Sequence, residues 1–282
     1  MVSRLRIHGL DSLNAAPLQW GLADGSLIAG RPVEFATGTP AESAAALATN
    51  RADVALIPSI ELQRIESLSV VPGICVAARR RVRSVLLLAR REISQVRTVA
   101  VDTSSRTSAI LVRILLQRRL GIEPTYVPCA PDAQAMLSRC DAALLIADAA
   151  LGRTPPGVVS HDLAELWFEW TGLPFVFAVW AARPGLDMAA LTGRLEEVRV
   201  EGRRHIPDLA RRGATRPGLP DAPDLERYLR ELLHYTLGPE EEASLLRFFD
   251  EAYRAGALHR IRPLRIAPRN VTPLRAFAGE SS

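Results

Sequence analysis

Residues 51–58, RADVALIP, decide the fold class of this sequence. The apolar run DVALIP within them is typical of a buried strand, and shorter strand patterns precede it at 5–9 and 33–37. Helical patterns over 17–22 and 40–50 separate the three strands. Because strands that alternate with helices usually pair in parallel, this part of the chain is predicted to form a βαβαβ unit with helices on the faces of its sheet.

A second stretch, residues 139–146 with the sequence RCDAALLI, repeats the first in outline. Strand patterns at 98–101 and 126–127 precede it, and helical patterns over 106–120 and 132–139 lie between the strands. The same order of elements therefore occurs twice. This repetition predicts an α/β protein of two similar lobes, each with its own sheet flanked by helices, and a ligand cleft between them.

The lobe boundaries are predicted from the points where the repeated unit starts and stops. Lobe one comprises 1–88 plus 182–282, which adds mostly helical C-terminal residues to the first unit, and lobe two comprises 89–181. Segments near 88–91 and 177–182 would then cross between the lobes as a hinge. A length of 282 residues suits two lobes better than one core.

The composition excludes several classes of function. All 35 basic residues are arginine, so a lysine Schiff base is excluded, and with it any pyridoxal-phosphate enzyme. The net charge is only +4, and the run Arg79-Arg80-Arg81 lies between strand patterns, which favours a solvated turn over a nucleic-acid patch. Three cysteines without CxxC spacing indicate neither a disulfide framework nor a zinc site.

The start of the chain and its hydropathy predict a location. The first residues, MVSRLRIHGLDS, contain no apolar run of signal-peptide length. No other stretch approaches the roughly 18 consecutive apolar residues of a membrane span. We therefore expect a cytoplasmic protein that does not associate with a membrane, whereas the oligomeric state does not follow from the sequence.

The most informative polar segment is 103–108, Thr-Ser-Ser-Arg-Thr-Ser, at a strand-to-helix junction. Its five hydroxyls and one guanidinium, together with the N–H groups of a helix start, indicate an anion site. The sequence has no GxGxxG or Walker motif, so a carboxylate is expected rather than a nucleotide phosphate. The alternative is a helix N-cap by Ser104 or Ser105, with Arg106 in solvent.

Further candidates lie where other strands end, because ligands of open parallel sheets bind beyond the carboxyl ends of the strands. Asn14 could cap a helix, or it could orient a substrate oxygen, since its amide both donates and accepts. Ser59 could cap a helix or contact the ligand, and Asp148 could be an acid, a base or, as we favour, an anchor for its loop. Asn14 is the catalytic candidate. The substrate-binding candidates are Ser12, Ser59, Ser84, Ser105, Arg106, Thr107, Ser108 and Asp148.

Five blocks of sequence, in order between residues 5 and 182, resemble one family. They are SLNAAPL at 12–18, DVALIPSIE at 53–61, DTSSRTS at 102–108, LIADAAL at 145–151 and WTGLPFVFA at 170–178. These blocks are similar to those of the chorismate dehydratases of the futalosine pathway of menaquinone biosynthesis. Two positions depart from the family pattern: Asp11-Ser12 stands where a Ser-Tyr pair is common, and Ala147 replaces a glycine.

The resemblance implies a fold like the type II periplasmic binding proteins and a defined reaction. Chorismate, a dicarboxylate, would lose water to give 3-[(1-carboxyvinyl)oxy]benzoate, without a cofactor or metal. The matched blocks contain neither lysine nor histidine, so we expect the carboxylate on the substrate's enolpyruvyl arm to act as the base, oriented by Asn14. Asp148 is the competing candidate for the base.

Two other functions stay open. One is a non-enzymatic binding protein for a small carboxylate that shares the fold. The other is the sister enzyme, 1,4-dihydroxy-6-naphthoate synthase, which is expected to use a histidine base in its cleft. Here His161 is the only histidine of the predicted second lobe, and it lies outside the matched blocks.

Overall fold

The computed structural model describes residues 3–268, which are built around two β-sheets; residues 1–2 and 269–282 of the predicted lobe one lie outside this range. The first sheet consists of β1 (Leu5–Leu10), β2 (Leu27–Ile28), β3 (Arg31–Gly38), β4 (Val54–Pro58), β5 (Ser69–Ala78) and β11 (Phe175–Ala182). The second consists of β6 (Val85–Ala89), β7 (Thr98–Asp102), β8 (Thr125–Cys129), β9 (Ala142–Ile146) and β10 (Val159–Asp162). The strand orders are β2-β3-β1-β4-β11-β5 and β10-β6-β9-β7-β8.

The helices cover the sheets and fill the C-terminal part of the chain. They are α1 (Pro40–Ala48), α2 (Thr107–Ile114), α3 (Ala133–Arg139), α4 (Ala147–Ala150), α5 (Leu163–Thr171), α6 (Met188–Arg204), α7 (Ile206–Ala214), α8 (Ala222–Arg227) and α9 (Pro239–Arg254). Local signals fix several boundaries. Thr39 and Glu42 form a capping box at the start of α1, and Asp162 caps α5, which ends at Gly172 with φ 72°.

The predicted parallel pairing is confirmed in the middle of each sheet. Strand β1 pairs in parallel with β3 and β4, and β7 pairs in parallel with β8 and β9. The sheets are nevertheless mixed, because β11 runs antiparallel between β4 and β5, and β6 runs antiparallel between β9 and β10. The α/β fold class with two sheets is as expected.

The strand pairing differs from the predicted lobe boundaries at both crossings. Strand β6 was assigned mostly to lobe one but pairs in the second sheet, and β11 was assigned to lobe two but lies inside the first sheet. The chain passes between the sheets at 79–84 and again at 172–174. The segments 88–91 and 177–182 are therefore not the crossing strands. We propose that the two lobes follow the two sheets.

Two predicted helices take a different form. The pattern over 17–22 becomes a 3₁₀ helix at Leu13–Leu18, since Pro17 lies inside it and cannot donate the i→i−4 hydrogen bond of an α-helix. The pattern over 106–120 becomes α2 followed by a π turn at Leu115–Arg119.

Helix α6 packs against the 3₁₀ helix. At Gly202 of α6 a Cβ atom would lie 2.0 Å from the carbonyl oxygen of Pro17, so only glycine allows the two backbones to approach this closely. Helix α7 packs against the same segment. Helix α9 packs against both β11 and α2, and thus joins the two sheets. The C-terminal helices thereby set the position of the segment that carries Asn14.

Candidate active site

A pocket of about 500 Å³, including its open mouth, lies between the two sheets. The 3₁₀ helix and strands of the first sheet form one wall, and the start of α2 with the end of β9 forms the other. The polar residues that line it are Ser12, Asn14, Ser105, Arg106, Thr107 and Ser108. The other lining residues are Leu10, Pro40, Pro58, Val76, Val85, Ile146, Ala147, Phe177 and Ala178. Six of the nine predicted site residues therefore line one cleft.

Asn14 is half-buried in the 3₁₀ helix, and its side chain does not cap a helix. Its Oδ1 accepts a hydrogen bond of 2.6 Å from the hydroxyl of Ser12. Residue Ser12 occupies the N-cap position of this helix, yet its hydroxyl makes no capping bond. Both side chains are thus directed to each other and to the pocket, which favours the ligand-orienting interpretation of Asn14 over the capping one.

The turn before α2 is fixed by Asp102. Its buried carboxylate accepts 2.8 Å hydrogen bonds from both the backbone N–H and the hydroxyl of Ser104. Residue Arg106 occupies the N-cap position of α2, and no side chain there caps the helix. The predicted alternative, in which Ser104 or Ser105 caps α2, is therefore wrong. The first N–H groups of this helix lack intrahelical acceptors, as at any helix start.

The hydroxyl of Ser105 is buried without a hydrogen-bond partner among the described residues. The residue is 7% exposed and lines the pocket. A buried polar group without a partner is costly, and such groups often have a partner outside the protein chain, such as a ligand. Next to it, Arg106 is exposed and forms no salt bridge within residues 3–268, while Ser108 is buried in the same wall. As far as residues 3–268 show, the Ser105 hydroxyl and the Arg106 guanidinium therefore lie together at a helix start without protein partners.

Thr107 lines the pocket and also contacts Ser59, which lies behind it, so the two hydroxyls join the two sides of the cleft. The hydroxyl of Ser59 donates to the Val176 carbonyl at 2.8 Å, so its 3.3 Å contact with Thr107 must use the Thr107 proton. Thr107 Oγ1 in turn accepts from the backbone N–H of Ile60 at 3.2 Å. The prediction that these two hydroxyls bind the ligand does not fit these contacts, because both protons already have acceptors in the protein. Ser59 does not line the pocket.

Asp148 anchors its loop, as favoured from the sequence. Its Oδ1 accepts from the backbone N–H of Leu13 at 3.0 Å, and its Oδ2 accepts from Arg216 at 2.7 Å. The carboxylate does not line the pocket, so its assignment to substrate binding is not supported by its position. Through these bonds Asp148 joins the second lobe to the segment that carries Asn14.

Ser84 also lies behind the pocket rather than in its wall, next to the lining residue Val85. It is 1% exposed, and its hydroxyl accepts a hydrogen bond of 2.7 Å from Tyr228. Its carbonyl accepts from Ala147 N at 2.7 Å. Ala147, which replaces the family's glycine, has φ 50°, in the left-handed region that favours glycine.

Sequence reasoning missed Tyr228 and Arg216. Both belong to the C-terminal part of the chain, where no motif marked them, and the fold brings them against Ser84 and Asp148. Burial raises the pKa of the Tyr228 hydroxyl well above its usual value, and the phenol donates a hydrogen bond of 2.7 Å to Ser84. The phenol is therefore neutral, with its proton available to donate.

His161 does not belong to the pocket. It lies on the edge strand β10, where its backbone pairs with Leu87. Its Nε2 is buried without a partner among the described residues, and burial lowers the pKa of its imidazole. This position gives no support to a histidine-based reaction in the cleft. Among the described helices, none is long and apolar enough to cross a membrane.

The two mixed sheets and the cleft between them place the chain in the class of periplasmic-binding-protein-like folds. The chain shares this fold with a protein from Archaeoglobus fulgidus, at a TM-score of 0.77 and 16% identity over 90% of this chain and 98% of that one. It also shares it with the periplasmic aliphatic sulphonate binding protein SsuA from Escherichia coli, at a TM-score of 0.64 and 16% identity over 100% and 99% of the two chains.

Within this class, the chain belongs to the menaquinone biosynthesis family, whose sequence profile matches residues 5–254. It is 33% identical to a chorismate dehydratase from Thermus thermophilus over 199 residues, which are 64% of this chain and 73% of that protein. It is 28% identical to a chorismate dehydratase from Campylobacter jejuni over 244 residues, 85% of this chain and 93% of that protein. The resemblance predicted from the five sequence blocks is confirmed.

Proposed function

We propose that this protein is a chorismate dehydratase, a carbon–oxygen lyase that converts chorismate to 3-[(1-carboxyvinyl)oxy]benzoate and water. It would act in the cytoplasm as the first step of the futalosine route to menaquinone, without a cofactor or metal. The family match and the two relatives support the reaction class. The pocket supports the substrate class, because it offers donors for an anion.

The substrate carries two carboxylates, and the start of α2 is suited to one of them. Within the described part of the chain, the buried hydroxyl of Ser105 has no partner and Arg106 forms no salt bridge. A carboxylate here would accept from the hydroxyl and from the free N–H groups of the helix start, where the helix dipole also favours negative charge. We assign the ring carboxylate to this position, since the opposite wall holds Asn14.

One observation supports the mechanism most strongly. The described residues that line the pocket include a single charged side chain, Arg106, and no Asp, Glu, His or Cys. Three of the carboxylates around the pocket are engaged elsewhere: Asp102 holds the turn, Asp148 anchors its loop, and Glu61 pairs with Arg64 at 2.9 Å. A protein base within reach of a ring proton is therefore missing from this wall.

The substrate's own enolpyruvyl carboxylate is the base in the reaction that we propose. It removes the ring proton, and the electron pair of that C–H bond forms the new double bond. The ring hydroxyl leaves with a proton as water, and the ring becomes aromatic. Because the carboxylate is part of the substrate, the protein's contribution is to hold it near the proton, and such orientation can lower a barrier by several kcal/mol, on the order of 7 or more in favourable cases.

Asn14 is the residue that would orient this carboxylate. Its Oδ1 is held by Ser12, which leaves its amide N–H groups as donors on the pocket side. A neutral amide suits the task, since a positive charge would lower the basicity of the carboxylate that must take the proton.

The proposal is tested by incubating the purified protein with chorismate and following the products by mass spectrometry. We expect a product lighter than chorismate by one water, with the ultraviolet absorption of a substituted benzoate. A protein that binds chorismate reversibly and returns it unchanged would instead be the non-enzymatic carboxylate-binding protein.

A further inference from the structure

A second pocket lies where the chain crosses between the two sheets. It holds about 1340 Å³ including its open mouth, and residues of both crossing segments, 79–84 and 172–174, line it. In the described part of the chain it shares no lining residue with the candidate active site. Four arginines and two glutamates line it, namely Arg79, Arg80, Arg81, Arg230, Glu231 and Glu240. Positive charge therefore predominates in this pocket.

The backbone that carries three of these arginines, residues 79–81, is fixed on both sides. Before this run, Ala77 and His234 exchange two backbone hydrogen bonds of 2.9 and 3.0 Å, and His234 also lines the pocket. After the run, the next two backbone N–H groups both donate to the carboxylate of Asp162, at 2.9 and 2.6 Å. The run thus lies between two anchored points, and its position is set before any ligand binds.

The charges of the run are not compensated by neighbouring carboxylates. Arg83, just beyond it, donates two hydrogen bonds of 2.8 Å to Asp224. The arginines at 79–81, by contrast, are exposed, as expected for a solvated turn, and form no salt bridge with any residue between 3 and 268. Arg80 lies over the ring of Phe168 at 4.5 Å, a contact that places the guanidinium without a carboxylate partner. Several unpaired guanidinium groups at one concave surface are an arrangement that binds anions.

We propose that this pocket is a second anion site, which binds a compact molecule with two or more phosphate or carboxylate groups. Guanidinium groups bind both kinds of oxyanion through paired N–H donors. The concave shape suits a small molecule, and Glu231 and Glu240 would repel an extended polyanion such as a nucleic acid. This inference goes beyond the proposed dehydratase function and does not depend on it.

The test is isothermal titration calorimetry of the full chain with pyrophosphate and, separately, with citrate, at low ionic strength. The wild-type protein should bind at least one of the two anions. The double variant Arg79→Gln, Arg81→Gln should lower that affinity about tenfold or more, since hydrogen bonds to charged groups are lost. The matched control is the double variant Arg97→Gln, Arg153→Gln, which removes the same charge from exposed residues outside both pockets. We expect the control to keep the wild-type affinity.

Two further variants complete the experiment. Arg106→Gln removes the cation of the candidate active site and should leave the affinity for the anion unchanged. Arg230→Gln covers the case in which the first double variant does not fold, because Arg230 belongs to another segment of the chain. It should also lower the affinity, by a smaller factor, since Arg230 already pairs with Glu226 at 2.7 Å.

Three results would overturn the inference: wild-type protein that binds neither anion, an equal loss of affinity in both double variants, or a loss of binding in Arg106→Gln. The last result would place the anion in the cleft instead. A loss confined to the substitutions at 79, 81 and 230 supports the second site. No chorismate is present in these titrations, so their failure leaves the proposed function untouched.

Discussion

Replacing Ser105 by alanine should change ligand binding and stability in opposite directions. In the free protein the Ser105 hydroxyl is buried and has no partner among the described residues. A buried donor without an acceptor costs about 1–3 kcal/mol, so its removal should raise the free energy of unfolding by up to that amount. The small void left by one oxygen atom offsets part of the gain.

The same substitution should weaken ligand binding. In the complex the hydroxyl would donate to a carboxylate, and a hydrogen bond to a charged group contributes about 1.5–3 kcal/mol. The affinity for the aromatic product should therefore fall roughly 10- to 150-fold. We would measure affinity by isothermal titration calorimetry and stability by urea unfolding of the ligand-free protein.

Thr192→Val is the matched control, because Thr192 of α6 also has a buried hydroxyl without a partner in the described chain, and it lies away from the pocket. This variant should also gain stability but should keep the wild-type affinity. An unchanged affinity in Ser105→Ala would remove this hydroxyl from the anion site. A clear loss of stability would mean that the hydroxyl has a protein partner in solution.

Three further predictions concern the walls of the cleft. Gly202→Ala should lower the free energy of unfolding by about 1–3 kcal/mol, because the added methyl group would overpack against Pro17. Gly193→Ala in the same helix should raise the free energy of unfolding by about 0.5–1 kcal/mol, since a Cβ there meets nothing within 4 Å. Thermal unfolding of the two variants would measure both changes. Ala147→Gly should be stabilising by up to about 1 kcal/mol, since relief of the left-handed backbone outweighs the entropy of glycine, and a lower melting temperature would contradict this. Arg106→Gln should weaken product binding and make the affinity less dependent on salt, as measured by titrations at several ionic strengths; an unchanged salt dependence would place Arg106 outside the site.

Much of the fold could be predicted because local patterns and tertiary packing agree. Buried strands such as DVALIP at 53–58 have near-continuous apolar sequence, and the helix from Pro40 has its own start signal. The predicted lobe boundaries differ from the strand pairing because β6 and β11 are both buried and apolar throughout, so hydropathy alone could not tell which strands they pair with. Pairing partners are a long-range property, and only the complete fold determines them.

The residues of the candidate site could likewise be predicted only in part. Residues that follow strands, such as Asn14 and Ser105, could be predicted from the rule that ligands bind at strand ends. Whether a hydroxyl is free to bind a ligand could not be predicted, because that depends on acceptors far away in the sequence. Ser59, for example, donates to the carbonyl of Val176. Tyr228 shows the same limit, since a tyrosine in an apolar helical pattern is indistinguishable from an ordinary core residue.

The most direct test of the mechanism is the rate of chorismate conversion by Asp148→Asn beside Asn14→Ala. Asparagine keeps an acceptor for Leu13 N–H and loses mainly the half-exposed pair with Arg216, which contributes no more than about 1 kcal/mol. We therefore predict that Asp148→Asn retains most of the turnover, while Asn14→Ala loses most of it and still binds the product. A folded Asp148→Asn protein without turnover, beside an Asn14→Ala protein that keeps it, would show that Asp148 is the base and that substrate-assisted catalysis is wrong.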